Sequence, residues 1–139
     1  MYLFVENSNL VLVEGLPIYE RNYSMNTNSK QILESANSAI TKGDYEGFLS
    51  FCADHVKWNF IGDQILNGKE EVRQYMAKNY LEPPTFKVEK LVAEDDIVIA
   101  VGKISMKNSD GKTVDYSYCD VWRFQDNKMV ELEAFVIED

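Results

Sequence analysis

The sequence has little of what metal sites, disulfides and cofactor loops require. It holds one histidine, His55, and two cysteines, Cys52 and Cys119, that form no CxxC pair. A single histidine excludes multi-histidine metal sites, and two distant thiols cannot build a disulfide framework and suit a reducing compartment. Phosphate-binding loops, GxGxxG turns and the GxSxG nucleophile motif are also absent. We therefore expect no metal, no disulfide and no cofactor.

Positive charge is scarce as well. The 139 residues carry 14 Lys and Arg against 23 Asp and Glu, for a net charge of −9. This balance repels phosphate backbones and anionic lipid headgroups, so we expect neither nucleic acid nor a membrane surface as a partner. The first stretch, MYLFVENSNLVLVEG, lacks a basic start and is interrupted by Glu6 and Glu14. It is too short and too broken for a signal peptide or a membrane span, which predicts a cytoplasmic protein.

The N-terminal segment differs from the rest of the chain. Residues 1–24 predict an extension in which YLFV and LVLVE pair as a hairpin across the turn ENSN, followed by a connector, GLPIYERNYS. An isolated two-stranded hairpin is marginal in water, so we expect it to pack on the domain or on a partner subunit. Two interpretations stay open: an integral hairpin, or upstream sequence that is dispensable for the fold. Residues 25–139 are the predicted domain.

The domain predicts three helices and then a long antiparallel meander. The first helix is capped by Asn28 or Ser29, the second is a short one capped by Asp44, and the third runs from about Lys69 to Tyr80 before Pro83 and Pro84. An early strand is predicted over 56–60 and four long strands over 86–93, 97–107, 113–124 and 129–137. Helices followed by a meander indicate an α+β domain, and strands of this length favour a strongly curved sheet.

One acid stands in the most aromatic strand. In YSYCDVWRF the alternating residues Tyr116, Tyr118, Asp120, Trp122 and Phe124 share one face. A carboxylate on that face costs desolvation free energy unless something requires it there. Asp120 is therefore the first candidate for a functional residue.

Three stretches resemble one known superfamily when taken in order. AITKGDYEGFLSFCADHVKW, NGKEEVRQYM and DVWRFQDNKMVELEAFV are similar to the SnoaL-like polyketide cyclase and ketosteroid isomerase superfamily, which also contains nuclear-transport-factor-2-like domains. The likeness spans roughly residues 28–136. It implies a cone-shaped α+β barrel in which a curved antiparallel sheet wraps around three N-terminal helices. It also implies a pocket at the wide end and a homodimer formed through the sheet face.

Of the three catalytic residues of the isomerases, only one has a counterpart of the same type in this sequence. The position of their aspartate base falls on Asn59 or Phe60, and the nearest carboxylate, Asp63, lies in the following loop. The position of their tyrosine falls on Ala36. The isomerases also have a protonated aspartate, which an apolar site keeps neutral, and its position matches Asp120 in DVWRF. Steroid isomerisation is therefore not expected, whereas SnoaL-type cyclases imply Asp120 as acid and base.

These observations predict a pocket with one acid and an aromatic wall. Asp120 is the predicted catalytic residue, and the predicted ligand-binding residues are Trp58, Phe60, Tyr75, Tyr116, Tyr118 and Trp122. Such a pocket suits a small hydrophobic or aromatic compound with a carbonyl or hydroxyl group, handled without a cofactor. Two alternatives stay open: a protein that binds such a ligand without converting it, and a dimeric adaptor in which Asp120 is a structural buried acid.

Overall fold

The N-terminal part of the chain forms a short strand pair and a long helix. A computed structural model describes the backbone of residues 12–13 and 16–139, and the side chains from residue 28 onward. Strands β1 (Leu12–Val13) and β2 (Leu16–Pro17) pair antiparallel. The predicted pairing of YLFV with LVLVE lies outside the described residues. Helix α1 covers Ile18–Thr41, so the predicted connector is wrong from Ile18 onward. No glycine or proline interrupts these residues, and a proline is tolerated at the start of a helix.

The remaining elements follow the predicted order closely. Gly43, with φ of +77°, ends α1 in the left-handed conformation, and the Asp44 carboxylate accepts a hydrogen bond from the Gly47 backbone N–H at 2.9 Å to cap the next helix. The later elements are α2 (Tyr45–Ser50), β3 (Cys52–Phe60), β4 (Ile65–Asn67), α3 (Gly68–Asn79), β5 (Thr85–Glu94), β6 (Ile97–Lys107), β7 (Thr113–Gln125) and β8 (Lys128–Glu138).

Strands β3 to β8 form one curved sheet. Its strand order is β4-β3-β8-β7-β6-β5. Every pair is antiparallel except β3 with β8, which is parallel. The sheet does not close on itself, because β4 and β5 lie at its two edges. The predicted α+β class and cone-like architecture are confirmed, with this one parallel pair as the departure from an antiparallel sheet.

A bulge and a glycine bend the sheet at its β5 edge. The β5–β6 register shifts between Val88 and Lys90, where Val88 pairs with Gly102 and Lys90 with Val101. A side chain at Gly102 would place its Cβ 2.0 Å from the Lys87 carbonyl oxygen. Only glycine permits the strands to approach this closely, and a bulge increases local twist. The bend gives the sheet a concave face, on which the helices pack.

The core lies between the helices and that concave face. Its members are buried apolar side chains from all three helices and from the inner face of the sheet, among them Leu33, Ala36, Ile40, Phe48, Val72, Met76, Val98, Met129 and Leu132. No helix in the described residues combines the length and the apolar character needed to cross a membrane. Some of these core side chains, such as Ile40, Phe48 and Leu132, also line a cavity.

Candidate functional site

A cavity of about 330 Å³ opens beside the core. This volume is at the lower end of the range of small-molecule sites, roughly 300–1,000 Å³. Half of the lining residues are aromatic, and they are Phe48, Trp58, Phe60, Tyr75, Tyr80, Phe86, Tyr116, Tyr118 and Trp122. The polar residues of the lining are Asn37, Asp63 and Asp120. The cavity therefore offers a mostly apolar surface with few polar groups.

Strand β7 brings Asp120 to the cavity. Alternation along the strand turns Tyr116, Tyr118, Asp120 and Trp122 toward the same face, and all four line the cavity. In the sheet, Asp120 lies directly between Ala100 on β6 and Ala134 on β8. Both neighbours are small and buried. Space next to the carboxyl group is therefore left open where larger side chains would have filled it.

The carboxyl group of Asp120 is deep in the protein and unpaired. Its residue retains partial exposure because it faces the cavity. Within the described part of the chain, no side chain donates a hydrogen bond to it and no cation lies within salt-bridge distance. Burial disfavours its charged form and raises its pKa from 3.8 to about 7. The group can therefore gain and lose a proton near neutral pH.

Trp58 is the centre of the aromatic wall. Its ring meets Phe48, Phe60, Tyr75 and Trp122 edge to face, with centroid distances of 5.7, 5.9, 6.2 and 6.1 Å. Such tilted pairs are favourable arrangements of aromatic quadrupoles. The packing fixes the rings before any ligand arrives, so the wall is preformed.

Two buried polar atoms of the wall also lack hydrogen-bond partners. Among the described residues, the Trp58 indole N–H and the Tyr118 hydroxyl are buried without a hydrogen-bond partner. Desolvation raises the pKa of the Tyr118 phenol to about 12, and the Asp120 charge adds to this effect. Desolvation likewise raises the pKa of Tyr75 and Tyr80. These phenols stay protonated at neutral pH and can donate hydrogen bonds.

All seven predicted site residues line this one cavity. Asp120, Trp58, Phe60, Tyr75, Tyr116, Tyr118 and Trp122 meet there from β3, α3 and β7. Their predicted roles in binding and catalysis stay predictions. Three further polar residues of the lining were missed as site residues: Asn37 on α1, Asp63, which is exposed in the β3–β4 loop, and Tyr80, which follows α3. Tyr80 lies shortly before Pro83 and Pro84, so the sequence predicted the end of a helix there and gave no sign of a site residue.

The thiols and the histidine lie away from this wall. His55 is exposed on β3, as a surface histidine is expected to be. Cys52 and Cys119 are both free thiols, and burial raises the pKa of Cys52 to about 12. In the part of the chain that the structure describes, no group of three or more His, Cys, Asp or Glu side chains is placed to hold a metal ion.

Solved structures of the same fold were found at low sequence identity. An NTF2-like protein of unknown function from Cytophaga hutchinsonii is 23% identical, with a TM-score of 0.64 over 81% of this chain and 99% of its own. TerC, co-crystallized with polyporic acid, is 17% identical, with a TM-score of 0.68 over 81% and 92%. AclR, a putative hydroxylase from Streptomyces galilaeus, is 16% identical, with a TM-score of 0.68 over 81% and 90%. Likeness at these identities establishes the shared fold alone.

The sequence itself matches a family over most of its length. No curated protein matches it. The SnoaL-like domain family, by contrast, matches residues 33–132, which include the core of α1, the whole aromatic wall and Asp120. This match and the fold agree with each other. The chain therefore belongs to the SnoaL-like family, within the nuclear-transport-factor-2-like fold.

Proposed function

We propose that the cavity binds a small hydrophobic or aromatic compound with a carbonyl or hydroxyl group, and that Asp120 exchanges a proton with it without a cofactor. The observation that carries this proposal is the unpaired Asp120 carboxyl group on the wall of an aromatic cavity. A carboxyl with a pKa near 7 serves as both acid and base at neutral pH. A group that merely stabilised the fold would be expected to have a hydrogen-bond partner.

The cavity suggests how such a reaction would proceed. The anionic Asp120 takes a proton from the carbon next to a ligand carbonyl, and the electron pair of that C–H bond moves onto the carbonyl oxygen as an enolate. Phenol groups, of which Tyr118 is the nearest along the strand, donate hydrogen bonds to the oxygen where charge develops. Asp120 then returns its proton to the same or another carbon, so atoms and charge balance and no redox partner is required.

Relatives in fold support a small-molecule role. TerC was crystallised together with polyporic acid, and AclR is described as a putative hydroxylase. The first of these is a chain of the same fold with a small organic molecule bound in its crystals, which supports a small-molecule site here. The two relatives do not identify the ligand of this chain, which has to be inferred from the residues that line its own cavity.

A second candidate is ligand binding without conversion. Cyclisation requires both a proton acceptor and a donor, and among the described residues no histidine lines the cavity. The other acid of the lining, Asp63, is exposed. Asp120 would then bind a ligand hydroxyl or carbonyl by hydrogen bonding alone. The adaptor alternative is less favoured, because a cavity that served no ligand would be expected to collapse.

Deuterium exchange separates these candidates. Hydrophobic ketones that raise the melting temperature of the protein are incubated with it in D₂O, and loss of the proton next to the carbonyl is followed by NMR. We expect exchange with the wild type and its loss in Asp120→Asn, with ligand-induced stabilisation kept in both. Equal exchange in both proteins would contradict the role of Asp120, and stabilisation without exchange in either would favour the second candidate.

We also propose that the outer face of the sheet contacts a second copy of the chain. Apolar side chains lie there opposite the cavity-facing ones, and they are Val92, Ile99, Val101, Val121, Phe135 and Ile137. Phe135 is 43% and Ile137 70% exposed. Two ion pairs flank this patch, Arg123 with Glu131 and Lys103 with Asp139, so its rim carries both positive and negative charge. A patch whose rim carries both charges can complement itself across a two-fold axis.

A further inference from the structure

The charged groups of the cavity all have the same sign. Among the described lining residues, Asp63 and Asp120 are acidic, and none is lysine, arginine or histidine. Ligand sites that take carboxylates or phosphates ordinarily provide a cation or a set of backbone N–H groups. Here the wall next to Asp120 provides aromatic rings and alanines instead. The described part of the lining therefore contains no positively charged group that would neutralise an anion.

The two acids act at different depths. Asp63 is exposed and lines the cavity from the β3–β4 loop, whereas Asp120 lies deep on β7. The Asp63 charge is felt inside the site, because it contributes to the raised pKa of the Tyr75 phenol. An anion would therefore meet one negative charge on entry and a second where it comes to rest. The net charge of −9 on the whole chain adds to this repulsion.

We infer that the cavity selects its ligand by charge, taking neutral or cationic aromatic compounds and excluding the corresponding carboxylates. This inference rests on the proposed function and narrows its ligand class. A neutral hydroxyl or carbonyl compound needs only hydrogen bonds. A ligand ammonium group gains more, because it pairs with the Asp120 carboxylate in a cavity lined by aromatic rings. A carboxylate loses its hydration and gains no cation.

Coulomb's law sets the upper limit of the expected discrimination. Two like charges about 6 Å apart, at an effective dielectric constant of about 20, would weaken binding about 100-fold if both stayed ionised. Because the pKa of Asp120 is about 7, protonating this group at pH 8 costs only about tenfold, and this cost limits the discrimination. Since Asp120 is the deeper charge, most of this effect is assigned to it. Asp63 is solvent-exposed, so its share is smaller because water and salt screen it.

Three compounds with one carbon skeleton test the inference. They are 3-phenylpropanol, 3-phenylpropylamine and 3-phenylpropanoate, which carry a hydroxyl, an ammonium and a carboxylate at pH 8. Titration up to 10 mM is followed by calorimetry and by tryptophan fluorescence excited at 295 nm. The chain has two tryptophans, and both Trp58 and Trp122 line the cavity, so the fluorescence reports directly on it.

At pH 8 we expect the alcohol and the amine to bind, and the carboxylate to bind about tenfold more weakly than the alcohol. In Asp120→Asn the carboxylate should approach the alcohol, and the advantage of the amine should disappear. Asp63→Asn, the matched control at the exposed position, should change the ratio only a few fold. A cavity-filling variant, Ala134→Leu, should abolish all three responses if it folds with an unchanged circular dichroism spectrum.

The outcomes distinguish the two proposals. Carboxylate binding within about threefold of the alcohol in the wild type would overturn the charge selection and leave the ligand site standing. Unchanged ratios in a folded Asp120→Asn would also overturn it, because the selection would then have another source. A lack of any saturable response to the alcohol and the amine would overturn the ligand site and, with it, the charge selection.

Discussion

Replacing Asp120 with asparagine should stabilise the protein above neutral pH. The substitution keeps the size and shape of the side chain and removes its charge. Burial raises the pKa of Asp120 from 3.8 to about 7, so the folded protein disfavours the carboxylate relative to the unfolded chain. An amide does not ionise, so its own cost of burial stays the same at every pH. The effect of the substitution should therefore depend on pH in a defined way.

The sign follows from proton binding. Between pH 4 and pH 7 the unfolded chain has lost the Asp120 proton and the folded protein retains it. The folded state then binds more protons, so this residue makes the free energy of unfolding fall as the pH rises. Below pH 4 Asp120 is protonated in both states and makes no contribution to the pH dependence of the free energy of unfolding. Above pH 7 both are ionised and the penalty is complete.

The magnitude follows from the same pKa. Each pKa unit corresponds to about 1.4 kcal/mol, so the interval from 3.8 to about 7 corresponds to about 4 kcal/mol. The free energy of unfolding of Asp120→Asn, relative to wild type, should thus rise by about 4 kcal/mol between pH 4 and pH 8. For a domain of this size, that is an upward shift of the melting temperature of about 10 °C or more at pH 8.

Urea unfolding at pH 4, 5, 6, 7 and 8 measures this difference directly. Both proteins are followed by tryptophan fluorescence and circular dichroism, which must give coincident transitions. Asp110→Asn is the matched control, because Asp110 is exposed in the β6–β7 turn and should show no pH-dependent difference of this kind. If the difference between Asp120→Asn and wild type stayed constant across the series, Asp120 would not be the desolvated acid described above.

Three further outcomes are expected. Tyr118→Phe removes a buried hydroxyl without a partner, so it should leave the free energy of unfolding unchanged or raise it by about 1 kcal/mol, while calorimetry shows weaker binding of ketones. Gly102→Ala should lower the melting temperature by about 10 °C, since the new Cβ meets the Lys87 carbonyl oxygen at 2.0 Å; an unchanged melting temperature would contradict the close approach. Phe135→Asp places a charge in the exposed apolar patch, and light scattering after size exclusion should show a monomer where the wild type is a dimer; two proteins of equal mass would contradict the proposed interface.

Local patterns were enough to predict most of the sheet and the cavity wall. The alternation in YSYCDVWRF fixes which residues share a face, and the structure places Tyr116, Tyr118, Asp120 and Trp122 on one wall. Strand β6 begins and ends at the predicted residues. Period-two patterns depend on neighbours in the sequence, which is why they could be interpreted without a structure.

Features that depend on distant parts of the chain could not be predicted in this way. The alanines on either side of Asp120 lie on β6 and β8, and only the register of the sheet shows that Ala100 and Ala134 flank the carboxyl. Tyr80 enters the cavity because the chain turns after α3, which no periodicity encodes. The early start of α1 was missed because polar residues such as those in NYSMNTN are as common in connectors as in helices.

The parallel pairing of β3 with β8 has a consequence for synthesis of the chain. Strand β8 joins β3 to β7, and it is made after every other strand of the sheet. A nascent chain that stops short of Lys128 leaves β3 paired only with the three-residue β4 and leaves β7 with an open edge. The part of the wall formed by Leu132, Ala134 and Val136 is then missing. The cavity is therefore complete only after β8 has paired with both β3 and β7, whatever the order of the earlier folding steps.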